Sequence, residues 1–196
     1  MLKARIAVLV SGGGTNLQAL IDAQQSGIIR DGKISLVVSS SPTAYALTRA
    51  EQNGIEGLVC NDEEELIRIM DEHQISLIVL AGYMTILSEN FVKRYPERII
   101  NVHPALIPSF CGKGFYGLRV HEAALNYGVK ITGATVHYVN EIPDGGKIIL
   151  QKAVEIQEDD TPKTLQKRVM EEAEWVILPQ AVQLVCEKIL SEENHG

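Results

Sequence analysis

The sequence has little cysteine, and its three cysteines, Cys60, Cys111 and Cys186, are far apart. No two have the CxxC spacing of a zinc knuckle or a redox-active dithiol, so both kinds of site are excluded. A small fold held together by disulfides is excluded as well, and isolated cysteines are typical of a reducing compartment. The sequence therefore predicts a cytoplasmic protein whose stability comes from a hydrophobic core.

Long hydrophobic runs and an excess of positive charge are also missing. No apolar run approaches the roughly 20 residues that cross a bilayer, and the short apolar stretch near the start is predicted to be a strand, not a signal peptide. The formal net charge is −7, whereas a general nucleic-acid binder is usually basic. These absences predict no membrane and no nucleic-acid partner, but a small anion could still be held by backbone amides.

The first hundred residues alternate short apolar segments with helical ones. Of 196 residues, 45% are hydrophobic, which is enough for one domain with a substantial core. Residues 4–10 and 77–81 are apolar almost throughout, as in strands that are buried on both faces. This alternation predicts an α/β fold with a mostly parallel twisted sheet and helices on both faces.

The pattern changes after residue 104. A loop rich in glycine and proline covers residues 104–117, a length typical of binding loops. Residues 130–139 alternate like a half-buried strand, and residues 147–156 pair back after a turn, which predicts an antiparallel C-terminal edge. A short helix is predicted from His121 to Tyr127. Thr161 and Pro162 predict the start of a long final helix, and Pro179 is expected to kink it or divide it in two.

A glycine-rich turn joins the first strand to the first helix at residues 11–16. Its glycines let a ligand approach the backbone, and the helix start attracts an anion. A dinucleotide is disfavoured because Leu17 stands where a third glycine belongs and no carboxylate follows the second strand. A phosphate monoester fits better, and the alternative interpretation is a plain tight turn.

Asn101 and His103 end another buried strand and alternate onto one face of it. An amide beside an imidazole can hold a carbonyl oxygen as it becomes an oxyanion, and the imidazole can move a proton. The alternative is a histidine that is hydrogen-bonded within the core. Asp144, in the sequence Asp-Gly-Gly, could equally be part of an ordinary hairpin turn.

A metal site and a nucleophilic cysteine were the remaining interpretations. His103, His121, His137 and Asp144 lack a ligand spacing such as HExxH, so no metal site is predicted. Cys111 lies in the long loop, where nothing in the sequence positions it as a nucleophile.

Five stretches, in order along nearly the whole chain, resemble the folate-dependent formyltransferases. They are residues 8–16, 80–87, 101–108, 133–139 and 144–149. The resemblance implies a Rossmann-like formyltransferase fold in a single domain, 1–196. Residues 1–104 would be its nucleotide-binding half, and residues 105–196 would complete the folate site.

The resemblance also implies a reaction and its residues. A formyl group would pass from 10-formyltetrahydrofolate, as co-substrate, to the amine of glycinamide ribonucleotide in purine synthesis, without a metal. The implied catalytic residues are Asn101, His103 and Asp144. The ribonucleotide would be held by Gly13, Gly14, Thr15, Asn16 and Glu174. Folate would be bound by Met84, Thr85, Ile86, Leu87, Asn101, Val139, Asn140 and Glu141.

These catalytic residues suit the chemistry. The formyl oxygen gains negative charge in the tetrahedral intermediate, which Asn101 and a cationic His103 would stabilise, and Asp144 would favour the protonated imidazole. Alternatives are a formyltetrahydrofolate hydrolase or another formyltransferase of the family, which carry the same three residues on longer chains. A nicotinamide-dependent oxidoreductase and a non-catalytic sensor of nucleotide or folate are the rivals outside the family.

Overall fold

The computed structural model describes residues 3–195, which divide into two compact units. One contains the described residues up to Ile100 together with those from Pro179, and the other is Asn101–Leu178. The assignment of nucleotide binding to residues 1–104 and of the folate site to residues 105–196 stays a prediction.

The strands are β1 Ala4–Val10, β2 Gly32–Ser39, β3 Glu56–Val59, β4 Leu77–Leu80, β5 Ile99–His103, β6 Ile131–Tyr138 and β7 Ile148–Glu155. The helices are α1 Thr15–Gln25, α2 Tyr45–Gln52, α3 Glu63–Glu72, α4 Glu89–Arg94, α5 Leu118–Tyr127, α6 Pro162–Val169, the π-helix Met170–Glu174 and α7 Trp175–His195.

The strands form a seven-stranded sheet in the order β3-β2-β1-β4-β5-β6-β7. Strand β1 runs parallel to both β2 and β4, and β2 runs parallel to β3. Strands β6 and β7 are antiparallel. The predicted α/β class is therefore confirmed, with a mostly parallel sheet, helices around it and an antiparallel C-terminal edge.

The core of the first unit follows directly from its apolar strands. Every residue from Ile6 to Val10 is fully buried, because β1 is covered on both faces. Helix α1 adds Leu17, Leu20 and Ile21, which share one face of the helix. Helix α3 begins where the Asp62 side chain accepts the backbone N–H of Glu65.

The second unit is built on the β6–β7 pair and α6. Residues 132–137 of β6 are all buried, and α6 buries Leu165 and Val169. Thr161 and Thr164 form reciprocal side-chain to backbone hydrogen bonds at the start of α6, with Pro162 at its first position. The predicted start of this helix is confirmed.

The prediction that Pro179 divides the long helix was wrong, and its alternative, a kink at Pro179, stays a prediction. The interruption is the π-helix Met170–Glu174, and Pro179 lies inside the continuous helix α7. A proline cannot donate a hydrogen bond to the preceding turn, and the wider π-helical turn adjusts the backbone just before that region. Between residues 3 and 195, no helix is long and apolar enough to cross a bilayer.

Candidate active site

The second unit brings His103 and Asp144 together. His103 is the last residue of β5 and is 4% exposed, whereas Asp144 lies in the turn between β6 and β7. The His103 Nδ1 atom lies 3.6 Å from Asp144 Oδ2. This is the distance of an ion pair, and it is too long for a hydrogen bond between these two atoms.

Asp144 is held by further contacts that favour its carboxylate form. The Gly112 N–H donates to Oδ2 at 2.8 Å, and His137 Nε2 lies 3.5 Å from Oδ1. Burial tends to raise the pKa of Asp144, but the contact with His137, the charge of His103 and the Gly112 N–H together lower it below its ordinary value. Asp144 is therefore negatively charged at neutral pH.

The orientation of the His103 ring is set from its other nitrogen. Nε2 donates to the Phe110 carbonyl at 2.8 Å, because a carbonyl can only accept. Nδ1 is thereby directed toward Asp144, and a proton on Nδ1 would face a carboxylate instead of placing a lone pair against it. Because the Nδ1 contact is too long for a hydrogen bond, an N–H at Nδ1 would be free to donate to a ligand.

His137 is a member of the site that the sequence analysis did not assign. Its Nδ1 donates to the Tyr138 carbonyl at 2.8 Å, and its Nε2 lies 3.2 Å from Asn101 Nδ2 and 3.5 Å from Asp144 Oδ1. His137 thus lies between Asn101 and Asp144 and brings the third predicted catalytic residue into the group. The signal was available, since His137 alternates with Thr135 on β6, but its partner could not be known without the strand order.

His121 and Cys111 lie close to the site without having a clear chemical part in it. His121 is fully buried, and neither ring nitrogen has a hydrogen-bond partner among the described residues. Burial, aided by the charge of His103, lowers the pKa of His121 to about 4, so the ring is neutral. Burial and the charge of Asp144 raise the pKa of the Cys111 thiol, which makes it a poor nucleophile.

Metal ligation has no candidate among residues 3–195. No three histidine, cysteine, aspartate or glutamate side chains in this part of the chain are grouped so that they could hold an ion.

The glycine-rich turn lies in the first unit, between β1 and α1. Gly14 has a left-handed φ of 71°, and a Cβ added to it would lie 2.7 Å from the Ala46 side chain, so this position requires glycine. Added Cβ atoms at Gly12 and Gly13 would meet nothing within 4 Å. Arg49 Nε donates to the Gly13 carbonyl at 2.8 Å and fixes the peptide there. The turn is thus held firmly at Gly14 and open at Gly12 and Gly13.

Ser11 connects this turn to the segment after β4. Its hydroxyl accepts the Met84 N–H at 2.9 Å and is hydrogen-bonded to Ser40 Oγ at 2.6 Å. The carboxyl ends of three neighbouring strands therefore meet at one serine, as expected for the ligand-binding edge of an α/β sheet. Nearby, Met84 and Ile86 are 57% and 84% exposed, which is high for apolar side chains.

The other predicted binding residues lie in the second unit. Val139 and Asn140 are half-buried after β6, Glu141 is exposed, and the Asn140 side chain accepts the Ile142 N–H at 3.0 Å. Glu174 is buried at the end of the π-helix. Within this unit the structure brings Asn101, His103 and Asp144 together; the ligand contacts expected of the remaining residues stay predictions.

Three comparisons relate this chain to known proteins. The family model described as formyl transferase matches residues 4–182. The phosphoribosylglycinamide formyltransferase of Haemophilus influenzae is 41% identical over 192 residues, which cover 93% of this chain and 87% of that protein. The human trifunctional purine biosynthetic protein adenosine-3 is 42% identical over 193 residues, 94% of this chain but 18% of that protein. This chain thus spans less than a fifth of its trifunctional relative.

Comparison with solved structures also finds phosphoribosylglycinamide formyltransferases. The crystal structure of phosphoribosylglycinamide formyltransferase from Anaplasma phagocytophilum matches with a TM-score of 0.87 and 39% identity. The match covers 95% of this chain and 88% of that one.

Proposed function

This chain belongs to the formyl transferase family, and we propose that it transfers a formyl group from 10-formyltetrahydrofolate to the amine of glycinamide ribonucleotide in purine biosynthesis. Its relatives over nearly the whole chain are named for this activity. The observation that carries the proposal is the grouping of His103 with Asp144, with Asn101 joined to them through His137. An imidazole beside a carboxylate can move protons, and an amide donor can stabilise an oxyanion, and acyl transfer to an amine uses both.

The reaction forms one carbon–nitrogen bond and breaks another. The neutral amine of the ribonucleotide attacks the formyl carbon, the tetrahedral intermediate collapses, and the bond to the folate nitrogen breaks. The Asn101 amide and the His103 Nδ1–H stabilise the oxyanion while it exists. The attacking nitrogen loses a proton and the departing nitrogen gains one, and Asp144 with His103 supplies the acceptor and the donor for this exchange.

Glycinamide ribonucleotide binds through its phosphate at Gly13, Gly14, Thr15 and Asn16. The support for this placement is the open space at Gly13 and the start of an 11-residue helix directly after Gly14, where backbone N–H groups attract an anion. Glu174, an acidic side chain, contacts the rest of the ribonucleotide.

The pterin of 10-formyltetrahydrofolate binds to two loops and Asn101. The exposed apolar side chains of Met84 and Ile86 support this placement, since a flat ring gains free energy by covering them. The full set consists of Met84, Thr85, Ile86, Leu87, Asn101, Val139, Asn140 and Glu141.

The reaction proceeds in the cytoplasm with two small-molecule partners and no metal ion. The protein's cysteines, Cys60, Cys111 and Cys186, are free thiols, which is typical of proteins in a reducing compartment. A metal is unnecessary because the formyl donor is already activated and side chains supply the oxyanion donors.

An assay of formyl transfer tests the proposal. The protein is mixed with a 10-formyl folate analogue, with and without glycinamide ribonucleotide, and both folate turnover and the formylated ribonucleotide are measured. We expect turnover that depends on the acceptor. Equal folate turnover without it would contradict the proposal and identify a formyltetrahydrofolate hydrolase.

A further inference from the structure

Phe110 has a backbone conformation that phenylalanine rarely adopts. Its φ is 49°, in the left-handed region, where a bulky side chain is strained. Asp144 has a φ of 56° and lies in the same region. These two residues face the two nitrogens of the His103 ring, Phe110 at Nε2 and Asp144 at Nδ1. Aspartate adopts this region readily, so the strain lies at Phe110, and strained backbone directly beside a histidine nitrogen indicates an arrangement that is maintained for function.

The segment from Phe110 to Gly112 is hydrogen-bonded to both His103 and Asp144. The Phe110 carbonyl accepts from His103 Nε2 at 2.8 Å, and two residues later the Gly112 N–H donates to Asp144 Oδ2 at 2.8 Å. The first contact prevents the ring from turning over, because a turned ring would lose its acceptor. Which nitrogen of a histidine carries the available proton is determined by the bond that the other one makes.

Phe110 belongs to an aromatic cluster with Phe115 and Tyr127. The ring centroid of Phe110 lies 6.4 Å from that of Phe115 and 6.0 Å from that of Tyr127, and both contacts are edge-to-face. Tyr127 is the last residue of α5 and is 80% exposed. An exposed tyrosine adds little to a core, so Tyr127 can be replaced with little effect on the fold while its contact with Phe110 is removed.

We propose that Phe110 is a positioning residue for formyl transfer. Its carbonyl holds the His103 ring so that Nδ1 is directed at Asp144 and at the reacting atoms, and the aromatic cluster holds that carbonyl. This inference rests on the proposed function, since the reacting atoms are those of the formyl transfer. The backbone carbonyl of Phe110 orients His103, and the Phe110 side chain contributes only through its contacts with the rings of Phe115 and Tyr127.

Four substitutions separate this role from a general effect on folding. Phe110→Gly keeps the carbonyl and the left-handed conformation but removes the ring, and Phe110→Tyr restores an aromatic ring. Tyr127→Ala removes a partner ring from an exposed position, where the fold tolerates change. Asn126→Ala is the matched control, because Asn126 is the exposed neighbour of Tyr127 on α5.

The first measurement uses the protein without substrates. The exchange of the His103 Nε2–H proton with water is followed by NMR of the imidazole nitrogens, with the signal assigned through its loss in His103→Gln. We expect exchange about tenfold faster in Phe110→Gly and in Tyr127→Ala, because the hydrogen bond opens more often. Phe110→Tyr and Asn126→Ala should exchange at the unsubstituted rate.

The second measurement is the formyl transfer assay. A misdirected ring should lower kcat by about tenfold or more in the two ring-removing variants while KM for both substrates stays near its unsubstituted value. Phe110→Tyr should recover kcat. Unsubstituted exchange in either ring-removing variant overturns the proposal. Because exchange is measured without substrate, it still decides the matter if the protein transfers no formyl group, a result that would overturn the proposed function instead.

Discussion

Asp144 has its effect on the reaction through charge, and Asp144→Asn isolates that charge. Asparagine tolerates the left-handed φ of 56°, and its side-chain oxygen can still accept the Gly112 N–H. The variant should fold normally, but the imidazole of His103 loses its negative partner. We expect kcat to fall by about 10² or more, as when an oxyanion donor is lost, with little change in KM. Steady-state kinetics with both substrates measure this.

Asp159→Asn is the matched control, since Asp159 is exposed and belongs to the same unit. It should have unsubstituted kinetics. A folded Asp144→Asn protein with kcat near the unsubstituted value would show that Asp144 is a turn residue, and the catalytic group would then need to be redefined.

His121 makes the fold sensitive to acid. Its pKa is about 4 in the folded protein because the ring is buried, whereas an unfolded histidine titrates near 6.5. Between these values protons bind the unfolded chain preferentially, so the free energy of unfolding falls as the pH drops from 6.5 to 4. The loss amounts to about 3 kcal/mol. Urea unfolding of His121→Leu should show a smaller loss between pH 7 and pH 4 by about this amount, and parallel curves for the two proteins would contradict the assignment.

The sequence analysis identified Asn101, His103 and Asp144 as one candidate group, but it did not identify the residues that hold them in place. Asn101 and His103 could be found because alternation puts both on one face of a strand, and Asp144 was identified through the family resemblance. His137 was assigned no role in the site because its contacts depend on which strands are neighbours. The part of Phe110 could not be predicted, since a backbone carbonyl has no signature in the sequence.

Two adjacent glycines in the turn between β1 and α1 have different roles: Gly13 leaves space for a ligand, and Gly14 is required by the backbone conformation. Gly13→Ala places a methyl group in open space, so the free energy of unfolding should hardly change, but the methyl would occupy the proposed phosphate site. We expect KM for glycinamide ribonucleotide to rise about tenfold, equivalent to ~1.4 kcal/mol of binding. Gly14→Ala should instead destabilise the fold by roughly 1–2 kcal/mol, because of its left-handed φ and its contact with Ala46.

Urea unfolding and substrate kinetics on both variants measure the two effects separately. KM for the folate substrate serves as the internal control and should stay unchanged in Gly13→Ala. If Gly13→Ala left KM for the ribonucleotide unaltered, the phosphate would have to bind elsewhere and the turn would be a plain connection.

Elements with a strong local signal were predicted closely, and those that depend on distant packing were not. Thr161 was expected to start a helix, and its side chain accepts a backbone N–H at that position, as those of Asp62 and Ser88 do at the starts of α3 and α4. Helix α5 begins at Leu118, three residues before the predicted start at His121, because Gly117 precedes it with no capping side chain to recognise. The π-helix has no recognisable sequence pattern, so its interruption of the long helix was not predicted.

At the scale of the whole chain, sequence patterns did not predict that the last residues would belong to the same compact unit as the first hundred. Residues from Pro179 belong to the same compact unit as the first hundred residues, although a continuous reading places them with the second half. The overall class was easier to predict, since alternation of strands and helices over a hundred residues restricts the topology strongly. The absence of a third glycine at Leu17 also correctly disfavoured a dinucleotide enzyme.

The three cysteines report on the state of the whole molecule. Burial raises the pKa of all three thiols, that of Cys186 to about 12, but only Cys111 is partly exposed, whereas Cys60 and Cys186 are buried. Ellman's reagent at mildly alkaline pH should therefore react with one thiol in the folded protein and with all three in denaturant, because the reagent must reach the thiolate. The rapid phase should disappear in Cys111→Ser. The two buried thiols should react at a rate that increases with urea, since they become accessible when the surrounding core opens. Rapid reaction of two or more thiols in the folded protein would show that Cys60 or Cys186 is not enclosed by the core as described.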